Sequence, residues 1–113
     1  MHELSLCEGI LQTMESNAQS QGYSRVKSVW LEIGALAGVE QSALRFHFDI
    51  VTRDTLADSA RLEIIDIPAE AWCLPCAEVV RITQRYDACP LCGSHQLQVS
   101  RGEELKIKEL EVE

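Results

Sequence analysis

The chain has 113 residues, with 10 Lys plus Arg against 18 Asp plus Glu and a net charge of −8, a balance that repels phosphate backbones and argues against a nucleic-acid partner. This length suffices for one modest domain and a small appendage, which would need a staple because it holds little core of its own. Hydrophobic content of 46% is ordinary for a globular protein, and the longest apolar runs are too short to cross a bilayer, so no membrane role is expected.

The opening Met1-His2-Glu3-Leu4-Ser5-Leu6-Cys7 has neither a basic leader nor a small-residue cleavage site and does not read as a secretory signal, so a cytosolic location is expected. Methionine before a residue as large as His2 is expected to be retained. The amine of Met1, the backbone nitrogen of His2 and its imidazole can then close two fused chelate rings around one ion. A fourth in-plane position remains for Glu3 or a nearby histidine, and this flat, nitrogen-rich set suits Ni(II) or Cu(II). Anything fused ahead of Met1 would acylate the amine and abolish the chelate.

From Leu4 to about Gln21, Leu4, Cys7, Leu11, Met14 and Ala18 recur at three and four residues, with Ile10 widening the stripe, and predict an amphipathic helix. Cys7 shares that apolar spacing and reads as a small buried hydrophobe. Gly22 ends the helix, and Val26 to Ile33 reads as a strand in which Val29, Leu31 and Ile33 alternate with Ser28, Trp30 and Glu32. A small-residue turn follows from Gly34 to Gly38. Val39 to Val51 returns to helical spacing but is apolar on two sides: Val39, Ala43, Phe46 and Ile50 on one, Leu44, Phe48 and Val51 on the other. The second side calls for another packing layer or a partner and leaves room for a homodimer. His47, on this helix, reads as a surface or interface residue.

Arg61 to Ile67 predicts a second strand, stopped by Pro68, and Leu105 to Val112 a third. In the third the apolar parity slips around Lys108 and Glu109, which points to a bulge or to two halves facing different neighbours. Between these strands lies Ala69 to Leu97, with little apolar periodicity, which looks like an insertion. It carries Cys73-Leu-Pro-Cys76 and Cys89-Pro-Leu-Cys92, two knuckles separated by twelve residues. Two residues between cysteines let both sulfurs meet one ion while backbone N–H groups turn towards them. Two knuckles complete a tetrahedral thiolate shell that fits zinc. The competing reading is a disulfide or redox pair, which a reducing cytosol disfavours. With every position filled by thiolate, the site would hold the loop together and catalyse nothing. His95, three residues past Cys92, could belong to the knuckle or face the other metal site.

The start Met-His-Glu-Leu-Ser-Leu-Cys, the stretch Val29-Trp-Leu-Glu-Ile-Gly-Ala35, the paired knuckles and the close Leu105 to Glu113 together resemble the HypA/HybF family of hydrogenase maturation proteins over essentially the whole chain. The resemblance implies a nickel metallochaperone that works with a partner GTPase, HypB, on the large-subunit precursor of nickel-iron hydrogenase. It implies an α+β fold, two helices on a three-stranded sheet, with an inserted zinc ribbon. The nickel-binding α/β domain would comprise residues 1–68 and 98–113, and the ribbon residues 69–97. By position, the family's nickel residues fall on His2, with Met1 giving its amine and Glu3 a neighbouring ligand, and its zinc residues on Cys73, Cys76, Cys89 and Cys92. Some members flank the zinc knuckles with histidines that couple the two sites; here His95 is the one residue so placed.

Two other functions compete. A zinc-ribbon interaction adaptor without metal delivery would need a binding face, and no basic stripe or exposed aromatic series marks one for nucleic acid. An enzyme would need a reactive set, and the chain has no Ser-His-Asp combination, no carboxylate pair beside a histidine cluster and no phosphate loop.

Overall fold

In a computed structural model of the chain, which describes residues 3–113, the order is α1 (Glu3–Gln21), β1 (Val26–Gly34), α2 (Gln41–Val51), β2 (Arg61–Ile67), β3 (Ala69–Cys73), β4 (Glu78–Ile82), β5 (Leu97–Arg101) and β6 (Leu105–Val112). The strands make two three-stranded sheets, β2-β1-β6 and β4-β3-β5. Among the described residues, no helix is long and apolar enough to cross a membrane. The α+β class, the two helices and the three-stranded sheet β2-β1-β6 agree with the expectation from sequence.

The chain divides into two compact units. One holds α1, β1 as far as Leu31, Val39–Ile64 and Ile107–Glu113. Among the residues the periodicity selects, Cys7, Ile10 and Met14 from α1, Val29 and Leu31 from β1 and Leu44 and Phe48 from α2 are buried, whereas Leu4 is exposed and Leu11 and Ala18 are half-buried. Helices α1 and α2 pack on each other, and the Tyr23 hydroxyl donates to the Met14 carbonyl at 2.7 Å, pinning the exit of α1. Ser28 is buried although its hydroxyl is polar, because β1 is the central strand and the hydroxyl finds the Glu111 carboxylate at 3.0 Å.

Helix α2 starts two residues later than the apolar spacing suggests. Glu40 is extended at φ −84°, ψ 107°, and its carboxylate accepts the Ser42 N–H at 2.9 Å, which caps the helix at that point. The two-sided helix resolves into one buried face and one open one. Phe48 is 1% exposed and Phe46 63%, with Ile50 also exposed, while Val39 and Ala43 on the second side are half-buried. Phe48→Ala is expected to cost about 3–5 kcal/mol and Phe46→Ala to stay within about 0.5 kcal/mol, as read from urea midpoints at constant m-value.

Strand β6 runs unbroken, but burial shifts from Leu105 and Ile107 to Leu110. Its first two residues belong to the second unit and Ile107 onward to the first, a boundary that falls before the parity slip at Lys108 and Glu109.

The second unit comprises Glu32–Gly38 and Ile65–Lys106. Here the sequence reading missed regular structure: what looked like an aperiodic insertion holds three antiparallel strands. In β3, Ala69, Ala71 and Cys73 are buried, while Glu70 is half-buried and Trp72 exposed. Period-two alternation is present, but it is written in alanine and cysteine, which hydropathy barely registers. Strand β3 pairs Trp72 with Val79 of β4 and with Gln98 of β5, and a bulge lies at Glu70/Ala71 on the β5 side. The core is small: Ala69, Ala71, Cys73, Val80, Ile82 and Cys89, with Leu36, Leu97 and Val99 against it.

Segment 34–36 is threaded through this unit by backbone contacts. Gly34 N–H donates to Glu104 O at 2.7 Å, Ala35 N–H to Ile67 O at 2.9 Å and Leu36 N–H to Gly102 O at 2.8 Å. The approach is so close that a Cβ on Gly34 would stand 1.9 Å from the Gly102 carbonyl oxygen. Gly102, at φ +112°, in turn lies against Ala69, where a Cβ would stand 2.6 Å from its Cα.

Candidate metal centre

Each knuckle is built by a short turn, the first at the end of β3 and the second in the loop between β4 and β5. Cys73 closes β3, and the Ala77 N–H returns to the Cys73 carbonyl at 2.8 Å with Ala77 at φ 53°, which turns the chain so that Cys76 faces its partner. In the second knuckle Gly93, at φ 78°, donates its N–H to the Cys89 carbonyl at 2.9 Å, and Cys89 N–H donates to Ser94 O at 2.8 Å. The Leu74 N–H donates to Gln96 O at 3.1 Å and ties the first knuckle to the chain beyond the second.

These turns bring the four sulfurs within 4.8 Å of one another, with Cys73 and Cys92 at 3.6 Å and Cys76 and Cys89 at 4.0 Å. Among the described residues this is the one group of three or more His, Cys, Asp or Glu side chains close enough to share an ion. Four thiols so near cannot all ionise, because each thiolate opposes the next. The neighbouring Cys92 thiol and burial push Cys76 up to about 12. Burial would raise Cys89 too, but the Cys92 and Leu91 N–H groups aimed at its sulfur hold it at about 7. The backbone N–H groups thus favour the thiolate at Cys89, while the raised Cys73 and Cys76 need a cation to follow. An all-sulfur donor set with N–H groups on the thiolate fits a soft-to-borderline divalent ion in a closed site, and a zinc site is consistent with it.

Cys7 stands apart. It is 0% exposed, its S–H donates to the Leu44 carbonyl at 3.4 Å, and burial, followed by Glu3 and Glu8, raises it to about 11. His95 is exposed and is not a member of the sulfur cluster. His47 is half-buried, its ring edge-on to Phe46 at 5.4 Å.

At the amino end, Met1 and His2 lie outside the described residues. Glu3 opens α1, and its carboxylate accepts the Glu40 N–H at 3.2 Å. That bond, with Glu3's own N–H, holds its carboxyl below the usual range. Glu40 was not singled out from sequence, since 37 residues separate it from Glu3 and only the packing of α1 on α2 joins them.

The chain as a whole resembles known proteins. A family model described as hydrogenase/urease nickel incorporation, metallochaperone, hypA, matches residues 1–112. A hydrogenase maturation factor HypA of Acidithiobacillus ferrooxidans is 64% identical over 113 residues, covering 100% of both chains. One of Azotobacter vinelandii is 58% identical with the same coverage. The solution structure of the Ni metallochaperone HypA from Helicobacter pylori matches with a TM-score of 0.72 at 24% identity, covering 99% of this chain and 97% of that one, and supports the fold. A family match through residue 112, full-length relatives well above half identity and a shared fold lead to one conclusion: the chain belongs to the HypA family of nickel-incorporation metallochaperones in hydrogenase maturation.

Proposed function

We propose that this chain captures one Ni(II) at its amino terminus and helps insert it into the large-subunit precursor of nickel-iron hydrogenase, acting in the cytoplasm with a HypB-type GTPase. It performs no turnover of its own. The observation that carries this reading is the family match over residues 1–112, which takes in the amino-terminal triplet. Ligand chemistry supports the assignment of the ion to that triplet. Met1 would supply its amine, His2 a backbone nitrogen and the imidazole, and Glu3 a neighbouring donor, giving the planar nitrogen-rich set that nickel favours. A terminal chelate is open to solvent and to an acceptor, so the ion can pass to a site richer in thiolate. Protons compete for the amine and imidazole, so capture weakens as pH falls.

The resident ion of the sulfur cluster would be zinc, held by Cys73, Cys76, Cys89 and Cys92. It supplies folding energy to the ribbon and no reactive position. The two roles would divide along the chain, residues 1–68 and 98–113 for nickel and 69–97 for zinc.

Counting metals on untagged protein tests the proposal. The native chain is expected to hold about one Ni(II) beside about one Zn(II), and His2→Ala to lose the nickel with zinc and far-UV circular dichroism unchanged. An adaptor role without delivery is favoured by the exposed Trp72, Leu74, Val79 and Leu91 on the second unit. Nickel uptake that is the same in His2→Ala and the native chain would decide for that alternative.

A further inference from the structure

We propose that Cys92 is a site of oxidation by hydroperoxides, and that its reaction ends in a disulfide with Cys73, across the two knuckles, with release of the bound ion. This rests on the reading that the four cysteines hold zinc.

Access singles out the sulfur that reacts first. Peroxide attack needs the thiolate to reach the O–O bond in line with the departing oxygen, so a sulfur closed off by protein atoms is protected whatever its intrinsic reactivity. Cys73 is 0% and Cys89 3% exposed, Cys76 is half-buried, and Cys92 alone of the four is exposed. Its chain neighbours do not shield it: Gly93 has no side chain, and Leu91 is itself exposed. Cys89 has a further restraint, since the Leu91 N–H is directed at its sulfur at 3.4 Å and occupies a lone pair.

Distance and tethering select the partner. The Cys73 sulfur stands 3.6 Å from that of Cys92, and a disulfide needs about 2.05 Å. Cys73 is fixed as the last residue of β3, paired with both Glu78 and Leu97. Cys92 lies in a turn outside any strand, so it is the residue that can move. Cys89, its neighbour in the Cys-x-x-Cys motif, is held by the Ser94 and Gly93 backbone bonds as well as by the N–H on its sulfur.

The step balances without another reagent. The Cys92 thiolate gives two electrons to the O–O bond; S–O forms, O–O breaks, and the alkoxide or hydroxide that leaves takes a proton from water. The Cys73 thiolate then attacks the sulfenic sulfur; S–S forms, S–O breaks and hydroxide departs. Two thiolates, one hydroperoxide and one water become a disulfide, an alcohol (or water) and two hydroxides. The ion loses two of four ligands and is released, and a dithiol reductant reverses the change.

The untagged full chain, with its zinc counted beforehand, is treated with less than one equivalent of hydrogen peroxide in the presence of a sulfenic-acid trap. A parallel sample without the trap is alkylated and peptide-mapped while a chromophoric chelator records zinc. The trap is expected on Cys92, the disulfide between Cys73 and Cys92, and zinc release in step with that disulfide, with Cys7 still reduced. Cys92→Ser should slow release roughly tenfold. If that variant no longer holds zinc, the map of the native chain decides. A trap first found on Cys76 or Cys89, or a first disulfide joining Cys89 to Cys92 or Cys73 to Cys76, would overturn the proposal. A chain with no zinc at the outset refutes the zinc reading, and the map on it still tests the order of the sulfurs.

Discussion

Gly34→Ala is expected to destabilise the protein by more than about 3 kcal/mol, above the ordinary range for overpacking. The new Cβ would meet the Gly102 carbonyl oxygen at 1.9 Å and its carbon at 2.2 Å, and both are backbone atoms that no rotamer change can clear. The neighbouring backbone is not free to retreat either. Gly34, Ala35 and Leu36 are hydrogen-bonded in succession to Glu104, Ile67 and Gly102, and Gly102 is itself pressed on Ala69. Gly9→Ala is the matching control. Gly9 lies within α1 with nothing within 4 Å of its would-be Cβ, so the same substitution should stabilise by about 0.5–1 kcal/mol through helix propensity. Thermal or urea midpoints of the two variants should move in opposite directions. A Gly34→Ala protein with native stability would refute the tight backbone crossing.

Cys73→Ala should lower zinc from about one ion per chain to near none and melt the second unit, leaving the helices folded. The magnitude follows from the size of the remaining core. Without the metal, the unit rests on Ala69, Ala71, Val80 and Ile82 with Leu36, Leu97 and Val99 against them, a set too small to order three short strands. A structural zinc site supplies apparent binding energy of roughly 10–16 kcal/mol at neutral pH, and in a small unit that binding energy is folding energy. Hydrogen exchange should show β3, β4 and β5 unprotected in the variant, while amides around Leu44 and Phe48 remain slow. A strong chelator added to the native chain should reproduce the pattern. Protection of β3 that survives both treatments would show that the ion does not hold this sheet.

Side-chain periodicity disclosed the first unit because its core is made of residues whose hydropathy is unambiguous. Ile10, Met14, Val29, Leu31, Leu44 and Phe48 lie at helical or strand spacing in the sequence and are buried in the structure. The four cysteines were equally legible, since ligand type and a spacing of two carry the geometry of a knuckle with them. The strands around them were not. Alanine at 69 and 71 contributes little hydrophobic signal, and the apolar side of β3 is completed by a cysteine, a residue whose spacing reads first as ligation.

What the sequence determined by itself is therefore whatever depends on local order along the chain: the two helices, the strands β1, β2 and β6, and the sulfur quartet. Tertiary structure decided what depends on proximity between distant residues. It set Glu3 against the Glu40 N–H, left Phe46 uncovered while Phe48 is enclosed, and passed Gly34 beside Gly102. It also made Cys92 the exposed sulfur of a cluster whose four members look equivalent in sequence. The physical reason is that period and composition report which residues prefer burial, whereas exposure, close backbone approach and hydrogen-bond partners arise only when segments many residues apart compete for the same space.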